Sequence, residues 1–146
     1  RQCTCGRKGC LETYTSARGI CQTCAELRDA MPEYNGVLAS VPADKLTSQM
    51  IGEAAQTGDV LALKTFEQTG RWLGLACANA VTFSSPEAIF LMGGPLKAGD
   101  VFLKPLKQSF EEHLLNIYQG TVDIRMSELK ANDVAILGAA ALLKNK

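Results

Sequence analysis

Three cysteines near the start of the chain have a spacing that suits a metal site. Cys3, Cys5 and Cys10 are close in sequence, and the glycines between them permit the tight turns that would gather three thiolates. Thiolates are preferred ligands of structural Zn²⁺, which is usually bound by four groups in a tetrahedron. The sequence therefore predicts a zinc-binding loop over residues 1–11 that lacks one ligand.

The fourth ligand has three possible sources. It is the single histidine, His113, or another cysteine, or a residue upstream of Arg1. The chain begins without methionine and directly before the predicted loop, which favours the last source. We therefore expect the chain to be the C-terminal part of a longer protein.

One carboxylate directly follows the cysteines. Glu12 lies in the first turn of a helix predicted from residue 11 to about residue 31, where apolar residues recur every three or four positions and Pro32 follows. Ser16 lies one turn further on the same face, and the pair could line a cleft. Glu12 is either a ligand-binding residue or an acid favoured by the helix dipole.

A second pair, Cys21 and Cys24, lies within this predicted helix. Zinc binding, redox exchange and packing are the competing roles. Packing is favoured, because free cysteines behave as small buried hydrophobic residues and no active-site proline or βαβ pattern surrounds the pair.

The composition is that of an ordinary globular domain. Of 146 residues, 47% are hydrophobic, and 15 basic and 15 acidic residues give a formal net charge of zero. This balance provides no field to attract nucleic acid or an anionic membrane, and no apolar run is long enough to span a bilayer. Cys-x-Cys spacing suits metal binding better than disulfides, so a reducing, cytoplasmic location is predicted.

Two further helices are predicted: a short one that follows an N-cap at Thr47 and runs to about Gln56, and a longer one from Val60 to about Phe83. The second contains Gly70 and Gly74, each of which lowers helix propensity by up to about 1 kcal/mol relative to alanine. Close packing of this helix under a sheet or against a partner is the expected reason.

The second half of the chain predicts a small parallel sheet. Residues 88–92 form an apolar run expected for a strand buried on both faces. Residues 121–126 are predicted to form a second strand, which is either at the edge of the sheet or half covered. A helix from Asp100 to Tyr118, with Ile117 facing inward, connects them as a βαβ unit. A final helix is predicted over residues 134–143.

Gly93 and Gly94 follow the first predicted strand. Ligands of open parallel sheets bind beyond the carboxyl ends of the strands, where glycine lets a nucleotide approach the backbone. Taken alone, the pair is better explained by a tight turn, and no Gly-Lys-Ser/Thr follows to make a Walker A loop.

These features together resemble one family. The segment from Cys3 to Glu12 is similar to the C-x-C-G-x-x-G-C-x-E signature of the ROK family of repressors and sugar kinases, which includes bacterial glucokinases. Further similarity lies at Gly58-Asp59, at residues 86–94 and at residues 137–140. The resemblance covers nearly the whole chain.

The resemblance implies a two-lobed, actin-like (ribonuclease H-like) ATPase fold, of which this chain would form the C-terminal part. Glu12 would contact a sugar hydroxyl, and Gly93 with Gly94 would lie at the adenosine end of ATP. The three cysteines would bind zinc with a family histidine that precedes the first cysteine and has no counterpart here. His113 does not match that histidine, and no catalytic role is expected for it.

Parts of the family pattern are absent from residues 1–146, among them the N-terminal phosphate loop and the Asn-Asp pair whose aspartate is the general base. Phosphoryl transfer needs a positioned base, Mg²⁺ and phosphate ligands. No catalytic residue is therefore assigned within the chain, and the chain alone is expected to be inactive.

The predicted function is part of an ATP-dependent hexose kinase for glucose or a related aldohexose, with Mg²⁺ and a structural Zn²⁺. The chain would be one partial domain with a zinc loop (1–11), a helical segment (12–83) and a nucleotide-side βαβα segment (84–146). A homo-oligomer is expected, because a sheet cut from a larger one exposes edges and apolar faces. The alternatives are a sugar-sensing ROK transcriptional repressor and a zinc-stabilised interaction module without enzymatic activity.

Overall fold

The computed structural model describes residues 1–129 and 131–144 of the chain. These residues form a helix-rich α/β unit with a small parallel sheet, as predicted. In chain order its elements are α1 (Glu12–Thr15), α2 (Ala17–Asp29), α3 (Ser48–Gln56), α4 (Val60–Ser84), β1 (Ala88–Leu91), a 3₁₀ turn (Gly94–Ala98), α5 (Asp100–His113), a second 3₁₀ turn (Asn116–Tyr118), β2 (Asp123–Met126) and α6 (Ala131–Lys144).

The first predicted helix is interrupted at Ser16. This residue has extended backbone angles, φ −72° and ψ 166°, and its hydroxyl oxygen accepts a hydrogen bond of 3.1 Å from the N–H of Gly19. Ser16 therefore ends α1 and caps the N-terminus of α2. The prediction of one helix over residues 11–31, with Ser16 on the same face as Glu12, is wrong for this reason.

Helix α5 is shorter than predicted. Leu114 adopts an extended conformation, φ −72° and ψ 133°, so the helix ends at His113 and a separate 3₁₀ turn follows. Ile117, which was expected to face inward, lies in that turn and is 75% exposed. Helix α6 begins at Ala131, three residues before the predicted start at residue 134.

Helix α4 is the longest element, and helices α1, α2, α3 and α5 all pack against it. The backbone of α5 lies directly against its two glycines: a Cβ added to Gly70 would lie 2.9 Å from the backbone nitrogen of Leu106, and one added to Gly74 would lie 2.8 Å from that of Phe110. The predicted close approach is confirmed, but helix α5 of the same chain approaches at these glycines, and not the expected sheet or partner. In the described part of the chain, no helix is both long and apolar enough to cross a membrane.

Two clusters of buried side chains lie along α4. One lies among α2, α3, α4 and the start of α5, and its large members include Ile20, Ile51, Leu61, Phe66 and Phe102. The other lies between the ends of α4 and α5 and the sheet, with Cys77, Val81, Phe110, Leu114 and Val122. The sheet and the early helices are thus connected through one long helix.

The two strands are parallel, as predicted, with Ala88 paired to Asp123 and Leu91 paired to Met126. Ile89 and Leu91 pack against the second cluster, but Phe90, which points to the opposite face, is 61% exposed. The expectation that β1 is buried on both faces is therefore wrong. Helices of the described chain cover one face of the sheet, and Phe90 lies on the other.

The contact between α4 and α5 predicts opposite effects for two glycine-to-alanine substitutions. Gly74→Ala should lower the free energy of unfolding by about 1–3 kcal/mol, because the new methyl group overlaps the α5 backbone. Gly52→Ala in α3 is the matched control, since its Cβ would lie 3.8 Å from the nearest heavy atom, an ordinary contact. It should be neutral or stabilise by up to about 1 kcal/mol.

Urea unfolding of the three proteins, followed by circular dichroism, gives the comparison. Equal gains of stability in the two variants would show that helix propensity, and not the close contact, governs both positions.

Candidate functional site

The loop over residues 1–11 closes on itself before α1 begins. The N–H of Cys3 donates a hydrogen bond of 2.9 Å to the carbonyl oxygen of Arg7. Gly6 and Gly9 have φ angles of +85° and +76°, in the left-handed region that favours glycine. The two glycines thus permit the turns that fold the cysteines toward one another.

The three thiols meet at one point. The Sγ atoms of Cys3, Cys5 and Cys10 all lie within 4.8 Å of one another, and those of Cys5 and Cys10 are 3.5 Å apart. Sulfurs at about 2.3 Å from a tetrahedral Zn²⁺ are about 3.8 Å from one another, so the donor set and its spacing suit this ion. No fourth His, Cys, Asp or Glu of the described residues joins the group.

Hydrogen bonds within the loop give Cys3 and Cys10 different thiol pKa values. The pKa of Cys3 is lowered, chiefly by hydrogen bonding from the backbone of Cys5, whereas a hydrogen bond with the Cys5 thiol raises the pKa of Cys10 to about 11. Cys3 is buried and Cys5 is exposed. The thiolate is therefore favoured at the buried end of the cluster.

Glu12 is the first residue of α1 and lies at a cleft beside the cysteine loop. The cleft has a volume of about 300 Å³, and its walls include Glu12, Ser16 and Arg18 together with residues of the loop. The side chain of Glu12 is exposed and accessible from this cleft. Ser16 lines the same cleft, although it does so from the break between two helices and with its hydroxyl already bonded to Gly19.

Gly93 and Gly94 follow β1 directly, and the space beside them is open. Gly93 has a φ angle of +121°, and a Cβ on Gly94 would meet no heavy atom within 4 Å. A cleft of about 410 Å³ begins at Gly94 and has α3 as its other wall. This volume lies in the range of small-molecule sites.

Sequence reasoning missed the α3 side of this cleft. One polar face of α3 lines it, formed by Ser48, Gln49, Gly52, Glu53 and Gln56. Their spacing does mark one face of a helix, opposite the buried Ile51. A solvated surface has the same pattern, so the sequence contains no signal that the face borders a cleft.

Arg1 was also missed as a structural residue. Its side chain is only 7% exposed and lies against Tyr14 and Trp72, with its guanidinium carbon 4.6 Å and 5.5 Å from the two ring centroids. A single arginine before a cysteine carries no spacing signal, and arginine is seldom buried. Only the folded chain identifies it.

The remaining cysteines and the histidine lie away from both clefts. Cys24 is buried in the core and Cys21 packs against it, and burial raises the pKa of both thiols, as expected for packing residues. His113 is exposed at the end of α5, with Nδ1 2.7 Å from the carbonyl oxygen of Ser109. It therefore does not supply the fourth ligand of the cysteine cluster.

Comparison with known proteins gives a consistent family relationship. The sequence model of the ROK family matches residues 1–146. The chain is 35% identical over 147 residues to a glucokinase of Halalkalibacterium halodurans, covering 99% of the chain and 43% of that protein. It is also 32% identical over 143 residues to the N-acetylglucosamine repressor of Escherichia coli O157:H7, covering 98% and 34%.

The fold is similar to that of a solved ROK family glucokinase from Streptomyces griseus in complex with glucose and AMPPNP. The TM-score is 0.83 at 29% sequence identity, and the match covers 97% of this chain and 46% of that one. The chain thus spans less than half the length of each of these relatives.

Proposed function

The chain belongs to the ROK family, and we propose that it forms the C-terminal part of an ATP-dependent hexose kinase for glucose or a related aldohexose. The observation that carries this proposal is the position of Glu12. This residue is the first of α1 and directly follows the cysteine cluster in sequence, and its accessible carboxylate lies at a cleft. The similarity to glucokinases supports the same reading.

In this proposal Glu12 binds and orients the sugar. Its carboxylate accepts hydrogen bonds from sugar hydroxyls, and such bonds to a charged acceptor are strong and directional. The proton of the attacking hydroxyl is taken by an aspartate outside this chain, and bound Mg-ATP supplies the phosphoryl group. Residues 1–146 therefore contribute substrate binding and contain no general base.

In this proposal Gly93 and Gly94 border the nucleotide-binding site. Because a Cβ on Gly94 would meet open space, the adenosine end of ATP can approach the backbone here, in the cleft whose other wall is α3. Residues 84–146 then form the nucleotide-side segment of an actin-like lobe, and residues 12–83 form a helical segment that supports it. The second lobe lies outside this chain.

The metal in this proposal is a structural Zn²⁺. Cys3, Cys5 and Cys10 would hold it, and the fourth ligand comes from outside the chain, since no described residue joins the three thiols. A zinc ion with four protein ligands has no open coordination position, so its role is to hold the loop and the α1 that follows. Glu12 is two residues from Cys10 and is positioned by that loop.

We propose a cytoplasmic, homo-oligomeric protein. Free thiols at a metal site require a reducing compartment, and all six cysteines are free in this structure. Exposed apolar side chains on the outer face of the sheet, such as Phe90 at 61% exposure, favour association.

A sugar-sensing ROK repressor is the second candidate, and the similarity to the N-acetylglucosamine repressor is the observation that favours it. The two candidates share the sugar site and differ in phosphoryl transfer. Activity therefore separates them.

The first prediction concerns turnover. The full-length protein that contains this chain should convert glucose and Mg-ATP into glucose phosphate and ADP, whereas purified residues 1–146 should not, because the general base lies elsewhere. A coupled assay for ADP measures both. Turnover by residues 1–146 alone contradicts the proposed division of the site, and glucose binding without turnover in the full-length protein supports the repressor.

The second prediction concerns Glu12. In the full-length protein, Glu12→Gln should raise the glucose dissociation constant about tenfold or more, because a charged acceptor is replaced by a neutral one, while the KM for ATP stays within about twofold. Glu111→Gln on the exposed face of α5 is the control and should change neither. An unchanged glucose affinity in Glu12→Gln would remove this residue from the sugar site.

The third prediction concerns the metal. Elemental analysis of the full-length protein should give one zinc per chain, and Cys5→Ala should abolish it, because Cys5 is exposed and its loss removes a ligand without disturbing the core. Cys21→Ala, outside the cluster, should retain the zinc. Zinc retained in Cys5→Ala refutes the assigned ligands, and full zinc occupancy in residues 1–146 alone supports the interaction-module alternative.

A further inference from the structure

We propose that Arg1 is a positioning residue for the sugar site: its guanidinium locks α1 against α2 and thereby fixes the direction of Glu12. The inference rests on the proposed sugar-binding role of Glu12 and adds a second residue to it. It comes from the contacts of a nearly buried arginine whose hydrogen bonds cross the break between the two helices.

The break at Ser16 leaves backbone carbonyl groups of α1 without helical hydrogen-bond donors, and Arg1 donates to one of them. Helix α1 has only four residues, so its last carbonyl groups are not followed by another helical turn that could donate to them. The Nη1 of Arg1 donates to the carbonyl oxygen of Thr13, in α1, at 2.8 Å and to that of Gly19, in α2, at 3.2 Å. One nitrogen thus connects the two helices.

The helices are in direct backbone contact at this point. A Cβ on Gly19 would lie 2.7 Å from the carbonyl carbon of Tyr14 and 2.8 Å from the carbonyl oxygen of Thr13, so only glycine permits this approach. The carbonyl oxygens of Thr13 and Gly19 both accept from the same Arg1 nitrogen at this contact, so the cation attracts the partial negative charge of both.

The other edge of the guanidinium fixes its orientation. Nη2 donates to Thr23 Oγ1 at 3.0 Å and to Glu26 Oε2 at 2.5 Å, both on α2. The hydrogen bond from Arg1 lowers the pKa of Glu26, which stays ionised at neutral pH. The planar, multidentate geometry of guanidinium is needed for this set of partners, and a lysine ammonium cannot reproduce it.

Glu12 directly precedes Thr13, whose carbonyl group Arg1 holds. A shift of this short helix moves the Glu12 carboxylate relative to a sugar that is bound elsewhere in the cleft. Binding of oriented hydroxyls is sensitive to such shifts, and misplacement by about 1 Å can cost about a hundredfold in rate. Arg1 therefore acts through Glu12 and does not contact the sugar.

The test uses the full-length protein and Arg1→Lys, which keeps the positive charge. We expect the glucose dissociation constant, measured by calorimetry, to rise about tenfold, while the KM for ATP and the zinc content stay within about twofold. Arg71→Lys is the matched control, because Arg71 is an exposed arginine paired with Glu67 on α4. It should change none of the three quantities.

A double-substitution cycle separates positioning from general stability. If Arg1 acts through Glu12, then Arg1→Lys added to Glu12→Gln causes no further loss of glucose affinity beyond about twofold. Should Arg1→Lys fail to fold, Thr23→Val removes one of its partners with little change in shape, and a rise of about threefold in the glucose dissociation constant is expected.

Suppose that Glu12→Gln itself weakens glucose binding. Normal glucose affinity in Arg1→Lys would then overturn the positioning role of Arg1 and leave the sugar role of Glu12 intact. The same conclusion would follow if the losses of affinity from the two substitutions multiplied in the double variant. Unchanged affinity in Glu12→Gln overturns the sugar role of Glu12, and this inference with it.

Discussion

The fold depends on the direct contact between the backbones of α4 and α5. Gly70 and Gly74 have no side chain to separate the two helices, and the atoms of Leu106 and Phe110 occupy the space that a Cβ would need. Helix α5 is also the crossover between the two parallel strands. The same close contact therefore fixes the sheet, and with it the glycine pair after β1, relative to α4.

Both clefts are built on helices that pack on α4. The cleft beside Glu12 belongs to α1 and α2, and the cleft at Gly94 lies between α3 and the 3₁₀ turn after β1. Trp72 of α4 packs edge-on to Tyr14 of α1, with ring centroids 4.7 Å apart. One helix thus carries the proposed sugar and nucleotide sides on a common support, which is what a reaction between two bound molecules requires.

What could be predicted from the sequence depended on local rules. The spacing of Cys3, Cys5 and Cys10 identified the thiol cluster, and the α4 glycines indicated a close contact, because both signals lie in short segments. The break at Ser16 was missed because apolar periodicity continues across it, and a serine within a helical pattern carries little weight. The exposure of Phe90 and the burial of Arg1 are set by distant segments, which no local pattern specifies.

Because of the break at Ser16, the direction in which side chains of α1 point does not follow from the direction of those of α2. In a continuous helix, one inserted or deleted residue turns everything beyond it by about 100°. Here the extended residue interrupts that transmission, so the direction of Glu12 is set by the cysteine loop and the α1–α2 contact and not by the phase of α2. A change in the length of α2 beyond Glu26 is thereby uncoupled from the direction of the carboxylate, whereas a shift that moves Gly19 or Thr23 reaches it through Arg1.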